Sequence, residues 1–116
     1  MTVFSGIKSY SVLPNTEFLP ILEITQDQSK FNNSVLVFKA KIFPEIYSKA
    51  LIVSIVNNNW HASKVEKQIE KLNQWNEIIY TRNISNIKDG DVIKVYLWNT
   101  DKSEFKIDNI TIDFYK

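Results

Sequence analysis

Two stretches near the C-terminus decide the fold: Asp91-Val-Ile-Lys-Val-Tyr-Leu-Trp-Asn99 and Phe105-Lys-Ile-Asp-Asn-Ile-Thr-Ile-Asp-Phe114. The first stretch alternates, with Ile93, Val95 and Leu97 on one face and Lys94, Tyr96 and Trp98 on the other. An α-helix would scatter these residues around its axis, so the alternation predicts a half-buried strand. Turn-forming residues at 99–103 allow the chain to reverse, and we therefore expect a C-terminal hairpin.

The second stretch alternates as well, but its phase changes in the middle. Apolar residues occupy odd positions up to Ile107 and even positions from Ile110 onward. A strand keeps one apolar face through such a change only if it absorbs an extra residue. The polar pair Asp108-Asn109 lies at the break, which predicts a β-bulge there.

Other strands are indicated by alternation, short apolar runs and flanking turn residues. They are predicted over 6–13, 18–25, 35–42, 51–56 and 75–83. Pro20 cannot donate a ladder hydrogen bond, so its strand is expected at a sheet edge. The run 51–56 is apolar at nearly every position, as in a central strand. The total of seven or eight short strands predicts one domain over 1–116, an antiparallel jelly-roll-like β-sandwich.

The segment 60–73 fits two structures. Val65 and Ile69 lie at helical spacing, and a capping box is available at Ser63. Against a helix, like charges repeat at i,i+4 spacing within 66–71. The residues by themselves leave strand and helix open here.

Composition excludes several classes of function. The chain has 116 residues, 44% of them hydrophobic, which is enough for a core without disulfides or metal. A net charge of +1 argues against nucleic acid as a partner, and no apolar run approaches the roughly 20 residues of a membrane helix. The absence of cysteine excludes thiolate chemistry. No signal-peptide core is visible at the N-terminus, so any targeting signal is expected in sequence outside this chain.

Four motifs carry a resemblance to a known family. They are Gly90-Asp-Val-Ile-Lys-Val-Tyr-Leu-Trp-Asn99, Phe105-Lys-Ile-Asp-Asn-Ile-Thr-Ile112, Ser5-Gly-Ile-Lys-Ser-Tyr-Ser-Val12 and Trp75-Asn-Glu-Ile-Ile-Tyr80. In order and spacing they resemble the galactose-binding-like jelly rolls, which are carbohydrate-binding-module-like domains of bacterial multidomain proteins. The resemblance implies a non-catalytic accessory module of a larger surface or secreted protein. It also favours a strand for the segment 60–73.

Aromatic and polar residues on the last strands suggest a carbohydrate site. Aromatic rings stack on the C–H faces of sugars while nearby polar groups hold the hydroxyls. The expected ligand-binding residues are Trp60, Lys94, Tyr96 and Trp98. Asn99 is expected to add a polar contact, and Lys39 and Lys41 are expected on a neighbouring strand face. Trp60, which follows the run 57–59, is expected to form a platform in a loop. The competing interpretation is that Trp75 and Trp98 pack within the sandwich, while Trp60, in an Asn-rich loop, is the tryptophan expected to be exposed.

The resemblance also implies a possible structural calcium ion at Asp108, which matches an aspartate that related domains use. Calcium prefers six to eight oxygen ligands. In related domains the others come from an acidic strand before the Ser-Gly motif, and this chain begins almost at that motif. The alternative is a bulge that simply exposes Asp108 and Asn109 to water.

Catalysis is not expected. His61 is the only histidine and has no obvious serine motif beside it, and two glycines are too few for a phosphate-binding loop. Glycoside hydrolysis needs two carboxylates roughly 5–10 Å apart across a cleft, which no motif indicates. We therefore expect a carbohydrate-binding module. The alternative is a structural domain without a small ligand, which contacts neighbouring domains or a partner chain through an open sheet edge.

Overall fold

Over the described residues, eight strands form two antiparallel sheets, which confirms the predicted all-β sandwich. The computed structural model describes residues 7–12, 17–25, 31–88 and 90–115. The strands are β1 (Ile7–Val12), β2 (Phe18–Ile24), β3 (Ser34–Pro44), β4 (Leu51–Val56), β5 (Asn59–Lys64), β6 (Asn76–Ile84), β7 (Ile93–Trp98) and β8 (Phe105–Tyr115).

The strand order is that of a jelly roll. Sheet 1 has the order β1-β8-β3-β6, and sheet 2 has the order β2-β7-β4-β5. Consecutive strands alternate between the two sheets except for β4 and β5, which pair with each other across the turn at 57–58. Most connections therefore cross from one sheet to the other at the strand ends.

The predicted C-terminal hairpin is wrong. Strand β7 lies in sheet 2 between β2 and β4, whereas β8 lies in sheet 1 between β1 and β3. The turn at 99–103 therefore carries the chain from one sheet to the other. Buried Asn99 holds this turn: its backbone N–H donates to the Glu17 carbonyl (2.6 Å) and its Nδ2 to the Ser103 carbonyl (2.7 Å). Alternation identifies a half-buried strand but not its partner, which is why sequence neighbours were expected to pair.

The inward faces of both sheets form one core, as the alternation of the strands predicts. Ile93, Val95 and Leu97 of β7 are buried, whereas Lys94 is exposed. The largest fully buried side chains are Phe31, Phe38, Phe114, Leu36, Ile42, Ile52, Ile78, Ile84, Ile93, Leu97, Ile107 and Ile110. Each such side chain contributes roughly 1.5–3 kcal/mol relative to exposure, so this layer dominates stability.

The β-bulge predicted in β8 is confirmed. Lys39 of β3 pairs with Thr111 and Lys41 with Asp108, so one residue of β3 faces two of β8. Asn109 has φ 54°, and its backbone N–H donates to Asp108 Oδ1 at 2.7 Å. Asparagine tolerates this left-handed backbone better than most residues. The extra residue lets both apolar halves of β8 face the core.

The positions predicted for two other strands are also correct. Strand β2, which contains Pro20, is an edge strand of sheet 2. Strand β4 is central in that sheet, and Ile52, Val53 and Ser54 in its middle are buried although they point alternately to both faces.

The segment 60–73, for which the sequence left strand and helix open, is neither one throughout. Strand β5 ends at Lys64, and a short 3-10 helix follows at Val65–Gln68. Val65 and Ile69 are buried against the core, which explains their helical spacing. The side chain of Asn76 then closes the loop by bonding the backbone of Glu70, Lys71 and Gln74. The strand favoured by the family resemblance is therefore correct only up to Lys64.

Some sequence predictions fall on residues outside the described part of the chain. The predicted first strand is described over Ile7–Val12, while Ser5-Gly6, the turn at 14–16 and residues 26–30 of the following loop lie outside it. Within the described residues, no helix is long and apolar enough to cross a membrane.

Candidate functional site

The outward side of sheet 2 brings all four predicted ligand-binding residues to one surface, here called the aromatic face. Strand register sets their positions: Trp60 of β5 pairs with Ile55 of β4, which pairs with Lys94 of β7. Tyr96 and Trp98 follow Lys94 on the same side of β7. The aromatic face is formed by Phe18, Pro20, Glu23, Leu51, Val53, Ile55, Trp60, Ala62, Lys64, Lys94, Tyr96 and Trp98.

Three rings cluster at one end of the aromatic face. Phe18 of β2 pairs with Trp98, and the two rings stack with centroids 5.9 Å apart and an interplanar angle of 20°. Phe18 also meets Tyr96 edge-on at 5.9 Å. Phe18 is 52% exposed, while Tyr96 and Trp98 are half-buried. Trp98 therefore both packs and contributes to the surface, so the two interpretations of this residue are compatible.

Trp60 lies at the opposite side of the same face, and its expected exposure is confirmed at 54%. It belongs to edge strand β5, separated from β7 by β4. Strands lie about 4.8 Å apart, so the backbones at Trp60 and Lys94 are roughly 10 Å apart. Next to Tyr96 on the same side of β7, Lys94 forms an exposed ion pair of 3.9 Å with Glu23 of β2. Such a pair adds little stability, but it provides a donor and an acceptor beside the rings.

The three additional polar positions do not reach this face. Asn99 is fully buried in the turn after β7. Lys39 and Lys41 lie on the outward side of β3 in sheet 1, on the other side of the sandwich. The error follows from the wrong hairpin, which would have placed β7 beside the sheet 1 strands. In turn, the sequence did not single out Phe18, because its pairing with Trp98 depends on long-range register.

A polar network lies at the side of the sandwich where edge strands β5 and β6 meet, and no sequence motif indicated it. Arg82 Nη1 donates to Ser54 Oγ at 3.0 Å, and Ser54 Oγ bonds Tyr80 Oη at 2.6 Å. Tyr80 Oη also lies 2.7 Å from His61 Nδ1. Because a guanidinium only donates, Ser54 accepts from Arg82 and its own proton is available to Tyr80. Burial raises the pKa of Tyr80, while the bond to Ser54 and the charge of Arg82 partly offset this.

The network does not resemble a nucleophilic triad. Ser54 is fully buried between the sheets, and His61 contacts Tyr80 rather than the serine. A catalytic serine needs a base in direct contact and access to substrate. The described geometry is therefore that of structural hydrogen bonds.

A polar hollow of about 350 Å³ lies beside this network, near the turn between β4 and β5. Its lining consists of Val56, Asn57, Asn59, Arg82, Asn83, Ser85, Asn86 and Ile87. Two residues of the run 57–59, Asn57 and Asn59, therefore contribute to this lining. Among the described residues, its lining contains amides, a hydroxyl and one guanidinium but no acidic side chain.

The surroundings of Asp108 do not fit calcium by themselves. Asp108 Oδ1 already accepts the Asn109 N–H, and the cross-strand neighbour of Asp108 is the cationic Lys41. Among the described residues, no group of three or more acidic, histidine or cysteine side chains could hold a metal ion. Calcium needs several oxygen ligands, and those described here supply too few.

Comparison with known proteins gives one structural likeness. No protein-family model matches the chain, and no curated protein matches it. Among solved structures, the chain is similar to the C-terminal domain of EclA, described as a sugar-binding protein, with a TM-score of 0.48 and 12% sequence identity. The alignment covers 95% of this chain and 80% of that chain. A likeness of this size identifies no ligand for this chain.

Proposed function

We propose that the domain is a non-catalytic module that binds carbohydrate on the aromatic face. The observation that carries this proposal is the presence of four rings, from Phe18, Trp60, Tyr96 and Trp98, on one outward sheet face. Rings offer apolar platforms to the C–H faces of sugars, and polar groups beside them hold hydroxyls. Lys94 and Glu23 occupy that second role.

The cluster is preorganised for binding. Phe18, Tyr96 and Trp98 restrict one another through ring contacts, and all three stand on paired strands. Fixed side chains lose little rotamer freedom when a ligand arrives, so more of the contact energy appears as affinity. Folding alone does not require a ring to remain half exposed, as Phe18 and Trp60 do.

The second candidate is a contact surface for a protein partner, and one observation favours it. The space between the rings is filled by aliphatic side chains, including Leu51, Val53 and Ile55. Val53 points outward yet is 0% exposed. Contiguous apolar surface of this kind marks protein interfaces as well as ligand sites. Binding to glycans separates the two candidates.

The biological setting belongs to the same proposal. The motifs that resemble galactose-binding-like jelly rolls support an accessory role in a larger bacterial surface or secreted protein. The module would hold its parent protein on a glycan. Neighbouring domains or a partner chain would then contact other parts of the sandwich.

Native affinity electrophoresis through gels containing a panel of neutral and acidic polysaccharides tests the proposal. We expect at least one polysaccharide to retard the domain. Trp60→Ala should then weaken retention by about tenfold or more, because a stacking ring contributes roughly 0.5–1.5 kcal/mol in addition to the apolar area that it buries.

Trp75→Ala is the matched control. Trp75 is 46% exposed, but its ring packs edge-on against Phe43 at 5.5 Å, away from the aromatic face. Its removal should leave retention unchanged. Free migration in every gel, or equal loss from both variants, would contradict a glycan site on the aromatic face.

A further inference from the structure

Arg82 is held rigidly but only through one of its three nitrogens. Nη1 donates to the Ser54 carbonyl (2.9 Å), to Ser54 Oγ (3.0 Å) and to the Asn59 carbonyl (3.0 Å). Nη2 and Nε make no hydrogen bond to a described residue. These bonds fix the plane of the guanidinium, so the remaining three N–H groups have a defined direction.

The charge of Arg82 has no described counterion. The side chain is half-buried, yet no carboxylate among the described residues lies within 4.0 Å of it. A partly desolvated cation is normally paired or hydrogen-bonded on all sides. Here Nη1 is bonded to neutral oxygens, and Arg82 is one of the residues that line the polar hollow.

The rest of the hollow suits a single negative charge. Asn57, Asn59, Asn83, Asn86 and Ser85 surround Arg82 with neutral groups that donate hydrogen bonds to an anion and to hydroxyls alike. The planar fork of arginine matches the two oxygens of a carboxylate. One guanidinium balances one carboxylate, whereas a phosphate dianion would retain a charge that no other described lining residue offsets.

We infer that the polar hollow binds the carboxylate of an acidic sugar, with Nη2 and Nε of Arg82 donating to its two oxygens. This deepens the carbohydrate-binding function proposed above and rests on it. Asn59 lines the hollow and is followed by Trp60, so the hollow and that exposed ring occupy the same edge of sheet 2. A uronic acid unit is the simplest sugar that carries both an apolar face and a carboxylate.

Titration of the labelled domain with glucuronate, glucose and inorganic phosphate, followed by NMR, tests the inference. Glucuronate should shift the Arg82 Nε signal and the backbone amides of Asn83, Ser85 and Asn86. Glucose should need at least about tenfold higher concentration for the same response, since it lacks the charge-assisted pair.

A pair of charge variants provides the control. Asn86→Asp places a like charge beside a bound carboxylate and should weaken glucuronate binding by about tenfold or more. Asn73→Asp makes the same change at an exposed residue with the same left-handed backbone, φ 56° against 58°, outside the hollow. It should leave binding unchanged, and aspartate tolerates that backbone at both positions.

The outcomes separate this inference from the function it rests on. The carboxylate site would be overturned if glucuronate caused no shifts at the hollow, or if both variants weakened glucuronate binding equally. It would also be overturned if phosphate saturated the hollow at a lower concentration than glucuronate. Trp60-dependent retention on a neutral polysaccharide would still support the glycan-binding function in any of those cases. Arg82→Lys is unsuitable as the primary test because it removes the bonds to Ser54 and Asn59 as well.

Discussion

The outward faces of the two sheets differ in the kind of side chains that they place opposite one another. On sheet 1, Lys41 lies between cross-strand neighbours Glu77 and Asp108, so opposite charges alternate across three strands. On sheet 2, the equivalent positions carry Phe18, Trp60 and several aliphatic side chains. Opposite-charge neighbours contribute roughly 0.2–1 kcal/mol each and tolerate water. The charge pairs of the first face therefore lie beside exposed Ile79 and Tyr115, whereas the second face carries a cluster of three rings and a fourth ring on its edge strand.

The largest effect is expected from a charge in the centre of the aromatic face. Val53 is fully buried there, and its cross-strand neighbours are Tyr96 and Ala62. Val53→Asp should lower the free energy of unfolding by about 3 kcal/mol or more, because it buries an unpaired carboxylate. Ile79→Asp, at an exposed position opposite Lys39 on the outward side of sheet 1, should cost about 1 kcal/mol or less. Urea denaturation measures the loss of stability in both variants. Similar midpoints would show that an introduced carboxylate costs no more on the aromatic face than on the outward side of sheet 1.

A smaller effect is expected from the network between β5 and β6, which lies between these faces. Tyr80→Phe removes the oxygen that bonds Ser54 and His61, and should lower the free energy of unfolding by about 1–3 kcal/mol at neutral pH. Denaturant titration measures this loss. An unchanged midpoint would mean that Ser54 finds another partner.

The same residue predicts the behaviour at high pH. Burial raises the pKa of Tyr80 above its ordinary value of 10.0 in the folded state. Above pH 10.0 the unfolded chain therefore releases this proton more readily, and the free energy of unfolding falls as pH rises toward the folded pKa. The decline should be shallower in Tyr80→Phe. Parallel curves for the two proteins between pH 9 and 11 would contradict the assignment.

The smallest effect is expected from calcium. The carboxylate of Asp108 faces Lys41 and bonds the backbone of Asn109, which leaves few oxygens for a cation. Thermal unfolding with excess calcium and with chelator should give melting temperatures within about 1 °C, since a ligand stabilises only in proportion to its binding. A rise of several degrees with calcium would restore Asp108 as a metal ligand.

Local patterns in the sequence predicted what depends on near neighbours. The alternation of β7, the bulge at Asp108-Asn109 and the edge position of Pro20 all follow from the side-chain or hydrogen-bonding properties of a few adjacent residues. The exposure of Trp60 was predictable for the same reason. These features would be expected in any sandwich built from this sequence.

What could not be predicted depends on which distant strands meet. The assignment of β7 and β8 to different sheets moved Lys39 and Lys41 away from the aromatic face and brought Phe18 onto it. The hollow around Arg82 likewise combines residues from β4, β5, β6 and the loop after β6. The asparagine-rich turn at 57–59 was the one local signal near this hollow, and asparagine is common in turns of every kind.

The most direct test of the glycan site is an NMR map of amide shifts on adding oligosaccharides released from the polysaccharide that retards the domain. The account predicts shifts at Asn59–Lys64 and Ile93–Trp98 of sheet 2, with Val35, Val37 and Lys39 on the outward side of sheet 1 unaffected. Shifts centred on sheet 1, or none on the aromatic face at saturating oligosaccharide, would contradict it.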